Sequence, residues 1–291
     1  MKRKTFIKSL GIIPIAASMK LNELNKLTSE LSSSETMPVL FLGHGNPMNA
    51  IENNEYSHAW QELGKTLPTP AAILCISAHW ETKGTFVTAM EKPTTIHDFY
   101  GFPQQLFDVQ YPAPGSPELA RETKKSITKT EVGLDYNWGL DHGSWSVLKR
   151  VYPDADIPVV EMSLDNTKDP LWHFELAKEL AALRNKGVLI VGSGNMVHNL
   201  RTIDFSKHGG FDWAIEASDK MKKLIAERDF KSLANYKDLG RAVQLAVPTP
   251  EHYLPMLYAL GLAGQNENIS FFNDKAELGS LTMTSLKIDK N

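Results

Sequence analysis

Apolar residues along the chain fall into runs of two lengths. The short runs, Val39–Leu42, Ala72–Ile76, Val159–Val160 and Val188–Val191, are mostly aliphatic, and glycine or polar residues follow them at once. Runs of this kind predict strands buried on both faces. Between them, apolar residues recur at helical spacing over Tyr56–Leu63, Pro117–Ile127, Ser144–Val151, Trp172–Leu183, Trp213–Glu227 and Pro250–Leu260. Strands alternating with helices predict an α/β fold, a three-layer α/β/α arrangement around a mostly parallel or mixed central sheet. The segment Gly279–Ile288 alternates apolar and polar residues and predicts a final strand, at an edge or antiparallel. No internal repeat and no Pro- or Gly/Ser-rich linker follows residue 37, so residues 37–291 are expected to form one domain.

Residues 1–36 stand apart from that pattern. A basic patch, Lys2-Arg3-Lys4, precedes a short apolar run, Ser9–Ala17, and small residues, Ala16-Ala17-Ser18, lie where a leader would be cut. This order is that of an export signal, and the run is far below the ~20 apolar residues a membrane-spanning helix needs. Arg3-Lys4-Thr5-Phe6-Ile7-Lys8 resembles a twin-arginine signal with Lys4 in place of the second arginine. Export to the periplasm is the expectation, with a cytoplasmic protein carrying a basic tail as the alternative.

Charge and cysteine content narrow the chemistry. With 31 Lys+Arg against 34 Asp+Glu the net charge is −3, which gives no broad attraction to phosphate backbones or anionic lipid. Neither nucleic acid nor membrane insertion after leader removal is expected. The one cysteine, Cys75, rules out an internal disulfide, cysteine-rich zinc modules and iron–sulfur clusters. Any protein-bound metal must rest on His, Asp and Glu.

The histidines carry most of the remaining information. His44 follows the first strand in Gly43-His-Gly-Asn-Pro47, His79 follows the second in Ser77-Ala-His-Trp80, and His198 follows the fourth in Gly192-Ser-Gly-Asn-Met-Val-His198. Ligands of an open α/β sheet bind at the carboxyl ends of its strands, so these three can converge across wide sequence separations. His252, in Thr249-Pro-Glu-His252, reads as lying in the first turn of a helix capped by Thr249, where the dipole disfavours imidazolium and keeps the metal-binding neutral ring. His142, in Asp141-His-Gly-Ser-Trp145, precedes another helix start. His58, His173 and His208 read as solvated or locally bonded residues. His97, Asp98, Phe99, Tyr100 and Trp145 read either as pocket lining or as ordinary loop packing.

Several sharper motifs fail. Gly192-Ser-Gly194 lacks the last glycine of a dinucleotide fingerprint, since Val197 stands there. Neither Ser193 nor Ser144 sits in a G-x-S-x-G elbow, and no H-E-x-x-H or P-loop occurs. A histidine-rich metal site at the edge of an α/β sheet remains.

The motif series Gly43–Pro47, Ser77–Trp80, Thr94–Pro103, Asp141–Trp145, Gly192–Asn199 and Pro248–Pro255 resembles, in order and over about residues 37–288, the class III extradiol ring-cleavage dioxygenases. The branch it resembles is the 4,5-DOPA extradiol dioxygenase-like one. The resemblance implies a catalytic domain over 37–291 that holds one divalent metal, Zn2+ or Fe2+. His44, His79 and His252 match metal ligands, His198 matches either a further ligand or the general base, and His142 matches a residue near substrate and oxygen. Relatives that cleave protocatechuate use a glutamate as third ligand. Here His252 takes that place beside Glu251, and an all-imidazole set leans toward Zn2+. The implied substrates are a small-molecule catechol such as DOPA and O2. The catechol binds the metal through both oxygens, one proton leaves on binding, and a base near neutrality takes the second. No Arg or Lys in the motif loops is an evident clamp for the DOPA carboxylate. Two alternatives use the same residues: a zinc hydrolase or lyase, active without O2, and a non-catalytic binding protein with a structural metal.

Overall fold

The computed structural model describes residues 36–290. Apart from Thr36, the predicted leader and its export signal lie outside the described residues. In chain order the strands are β1 (Val39–Gly43), β2 (Ala72–Thr82), β3 (Thr85–Thr88), β4 (Val132–Asp135), β5 (Val159–Asp165), β6 (Val188–Gly194), β7 (Asn268–Phe272), β8 (Ala276–Glu277), β9 (Leu281–Thr282) and β10 (Ser285–Asp289). The helices that cover them include α1 (Glu55–Thr66), α2 (Pro117–Ser126), α3 (His142–Val151), α4 (Pro170–Ala177), α5 (Asp212–Ala226) and α6 (Leu254–Gly261).

Eight strands make one sheet in the order β4-β3-β5-β2-β6-β1-β10-β7. The centre, β5-β2-β6-β1, is parallel, while β3 joins β5, β10 joins β1 and β7 joins β10 antiparallel. Strand alternation sends Leu40, Leu42, Ile73, Cys75, Val159, Leu189 and Val191 to one face, where they meet Trp60 of α1 and Trp145 of α3. Phe41, Leu74, Ile76, Val160, Met162 and Ile190 point the other way, onto Phe174, Met221 and Leu257 of α4, α5 and α6. Two buried faces need two helical layers, which is the predicted mixed α/β sandwich.

Differences from the sequence reading have local causes. β2 runs on to Thr82, so His79 lies within the strand, at a place where its ladder to β5 shifts register between Ile76 and Glu81. Such an irregularity re-aims side chains. The terminal segment breaks at Met283–Thr284: Leu281–Thr282 pairs with β8, and β10 lies inside the sheet, with β7 as the edge. The last large helix starts at Leu254 and not at Pro250. Pro255 has no N–H to donate and would clash with the carbonyl of Glu251 in a longer helix, so it is confined to the first turn. The helix predicted over Trp172–Leu183 is broken after Ala177 by a 3-10 turn. His173 is fully buried, not solvated. Its Nδ1 lies 3.0 Å from the Tyr258 hydroxyl and its Nε2 3.1 Å from the Asp165 carbonyl.

Two glycines let the metal-site segment approach the sheet. A Cβ on Gly192 would lie 2.3 Å from the Pro255 carbonyl oxygen, and one on Gly194 2.2 Å from that of His252. Both contacts are with backbone, which has little room to yield. Gly194→Ala is therefore expected to cost about 1–3 kcal/mol in urea unfolding and to displace His252. Burial pushes the His173 ring down to about 4, so the unfolded chain takes up a proton below its pKa of about 6.5 while the folded chain does not. Stability should fall as pH drops from about 6.5 to 4. In His173→Gln, pH-dependent denaturation should show that slope reduced by up to about 1.4 kcal/mol per pH unit.

Candidate metal centre

β1 ends at Gly43, and the His44 N–H continues its ladder to β6 by donating to the Gly194 carbonyl (3.0 Å). Gly45, at φ +57°, turns the chain away and leaves the imidazole at the sheet edge. Behind the ring, Nδ1 lies 3.0 Å from Ser193 Oγ, and the Ser193 hydroxyl donates its only hydrogen to the Gly143 carbonyl. Ser193 can then only accept from His44. The hydrogen is on Nδ1 and the lone pair on Nε2.

His79 is treated in the same way by a carboxylate. Its Nδ1 lies 3.5 Å from Asp98 Oδ2, and its Nε2 faces Nε2 of His44 at 3.3 Å. The third ring, His252, sits two residues ahead of α6 in a turn closed by Tyr253 N–H and Leu254 N–H donating to the Pro250 carbonyl. Its own carbonyl accepts from Asn195 N–H (2.9 Å), which ties the turn to the end of β6. Its Nδ1 lies 3.2 Å from Glu251 Oε1, which also accepts from the Thr249 hydroxyl. Ring centroids of His44, His79 and His252 are 5.0–5.2 Å apart. His198 stacks on His252 at 3.5 Å with the planes 8° apart.

His142, first residue of α3, completes the group, with its ring 3.9 Å from that of His79. Asp98 Oδ1 accepts its backbone N–H (2.8 Å), and Oδ2 lies 2.9 Å from its Nδ1, close but not well aligned. Asp141 caps α3 through Ser144 N–H and accepts from the Ser77 hydroxyl. Glu161 of β5 lies behind it, accepting from Asp141 N–H and the Ser144 hydroxyl. Burial and then the Asp141 charge push the Glu161 carboxyl well up, so it keeps its proton.

Electrostatics suit a cation. Burial, then the neighbouring imidazoles, lower His44 and His252 well below 6.5. Burial and then His142 take His79 to about 3, and burial takes His198 to about 4 against the pull of Glu251. Burial alone would raise Asp98, but its bonds to His142 hold it below the usual carboxylate range, so it stays ionised. Neutral rings are metal ligands. The two Nε2 atoms lie 3.3 Å apart, about the ligand–ligand edge of a tetrahedron with metal–nitrogen bonds of about 2.0–2.1 Å. Donor atoms lie within 4.8 Å of one another in two groups, His44, His79 and His142 and, beside it, His198, Glu251 and His252, and the chemistry of this set fits a divalent metal.

All five histidines singled out beyond the local ones converge here, and Asp98 joins them. His97 and Trp145 stand behind, in an aromatic cluster with Phe99: His97 Nε2 lies 2.9 Å from the Val109 carbonyl, and Trp145 Nε1 donates to the Ile96 carbonyl. Tyr100 is exposed. A cavity of about 860 Å³ between α1, α5 and residues 207–210 and 274–278 has none of the five converged histidines in its wall. Sequence reasoning missed Ser193 as the partner of His44 and Glu161 as the support of Asp141. Glu161 left one signal, an acid inside the strand run Val159-Val-Glu-Met162.

Similarity to known proteins gives the family. Residues 38–284 match the family model described as the catalytic LigB subunit of aromatic ring-opening dioxygenase. The chain is 50% identical over 265 residues to "4,5-DOPA dioxygenase extradiol" of Escherichia coli strain K12, covering 89% of this chain and 97% of that one. It is 34% identical over 263 residues to the protein of the same name from Beta vulgaris, covering 88% and 98%. A crystal structure of an uncharacterized Escherichia coli K12 protein superposes with a TM-score of 0.75 at 46% identity, covering 87% of this chain and 99% of that one. The chain belongs to the LigB family of class III extradiol, aromatic ring-opening dioxygenases.

Proposed function

We propose that this dioxygenase opens the ring of a catechol such as DOPA at a single Fe2+ held by His44, His79 and His252. The observation that carries the reading is the pair of Nε2 atoms of His44 and His79, 3.3 Å apart, with His252, His198 and His142 beside them. The names of the relatives supply DOPA as the first substrate to test. When bound, the metal would supply open positions for both catechol oxygens and for O2, and the exchange of electrons between them. Zn2+ fits the same donor set but has no redox chemistry. The carboxylates Asp98 and Glu251, behind His79 and His252, return negative charge that an all-imidazole set would lack.

The chain's own residues handle the protons and the positioning. His198 is neutral at pH 7, partly exposed beside His252, and within the field of Glu251, so it can take the second catechol proton and later return it. His142, packed against His79 and held by Asp98, supplies a hydrogen-bonding nitrogen on the other side of the centre. Phe99, edge-on to His142, and buried Trp145 keep water from that side. We also read the leader as directing the folded enzyme to the periplasm.

The test is O2 uptake and absorbance of the ring-opened product after anaerobic loading with Fe2+ or, separately, Zn2+, over a small catechol panel that includes DOPA. Coloured product with Fe2+ alone is expected. No uptake with any catechol, alongside stoichiometric Zn2+, would move the reading to a zinc enzyme or a binding protein. His198→Ala should retain bound metal and lose turnover by about 10²–10⁴-fold. Loss of metal instead would make His198 a ligand. Stripping the metal with a chelator should lower the melting temperature, since the ion ties together three segments distant in sequence.

A further inference from the structure

Asp98 touches two of the five histidines from a segment that is itself anchored. Ile96 N–H donates to the Leu140 carbonyl and Leu140 N–H to the Thr94 carbonyl, both 2.8 Å, and Trp145 Nε1 reaches back to the Ile96 carbonyl at 2.7 Å. The strip carrying Asp98 is therefore bonded to the strip that leads into His142. Asp98 Oδ1 takes the His142 N–H at 2.8 Å, while Oδ2 lies 2.9 Å from Nδ1 of His142 and 3.5 Å from Nδ1 of His79. An ionised carboxylate only accepts. Facing that carboxylate, although neither contact has the alignment of a full hydrogen bond, both rings are favoured with the hydrogen on Nδ1 and the lone pair on Nε2.

We propose that Asp98 is a positioning residue that sets one tautomer in His79 and His142 together, so that a single carboxylate aligns a metal ligand and its neighbouring proton-handling group. The inference rests on the proposed roles of those two histidines for its effect on turnover, though not for the tautomers themselves. It gives the carboxylate a task distinct from lining a substrate pocket. It also differs from simple capping of α3, which needs only the Oδ1 contact to the His142 N–H.

Asp98→Asn separates these tasks. The amide oxygen can keep the bond from the His142 N–H, but the amide nitrogen sets a donor against Nδ1–H, so the favoured tautomer of His142 reverses. Long-range 1H–15N NMR at about pH 8, on metal-free and zinc-loaded protein, should show Nδ1–H on His79 and His142 in the wild type and Nε2–H on His142 in the variant. Zinc affinity should fall about tenfold, and kcat with Fe2+ about 10–100-fold with KM within about twofold, while the melting temperature stays close to that of the wild type. An Nε2–H tautomer on wild-type His142, or a variant with unchanged tautomers, zinc affinity and kcat, would overturn the proposal. Should the wild type consume no O2 with any catechol, the functional reading fails while the tautomer and zinc measurements still decide the role of Asp98. Should Asp98→Asn not fold, the wild-type tautomers decide it.

Discussion

Two imidazole nitrogens, Nε2 of His44 and of His79, are held 3.3 Å apart at the sheet edge, an orientation of both rings that the folded chain has to enforce. Enforcement comes from behind each ring. Ser193 fixes His44, Asp98 faces His79 and Glu251 faces His252, and each partner is set by a further bond to backbone or hydroxyl. The strands then matter chiefly as rulers. β1 and β6 are neighbours in parallel register, which brings His44 onto Ser193, and β2 lies on the other side of β6, which brings His79 to the same edge.

Acids around the centre divide into two kinds. Asp98 and Glu251, at the surface side, are bonded to imidazoles and add negative charge next to the ligands. Asp141 and Glu161 are fully buried under α3, where burial and the Asp141 charge keep the Glu161 proton on, so the pair adds less charge than two carboxylates would. The inner pair serves support: it caps α3, holds Ser77 and Ser144, and keeps His142 at the first position of its helix. Keeping Glu161 neutral avoids the cost of a second buried charge in the core.

Much of this was legible in the sequence because it rests on patterns that propagate. Alternation in β1, β2 and β6 follows from burial on two faces, and the histidines after those runs mark the edge where ligands bind. What stayed hidden depends on partners far along the chain. β3, β4 and β7 are only four or five residues long, and they become strands where a neighbouring edge accepts them. The extension of β2 past Ile76 depends on β5, whose own length was masked by Glu161, Ser163 and Asp165. Ser193 looked like a failed nucleophile, and only the fold shows it against His44.

The insertion of β10 between β1 and β7 has a kinetic side. Gly43 N–H bonds to Ser285 Oγ across 242 residues, and Met283 closes over Gly43 and Gly45 at the turn that bears His44. Closing so long a loop is entropically slow, and it comes after the local helices and the nearer strand pairs. The wall behind His44 is therefore built from one of the longest-range contacts among the described residues. The shape of the metal centre thus depends on the far end of the chain as well as on the segments that carry its histidines.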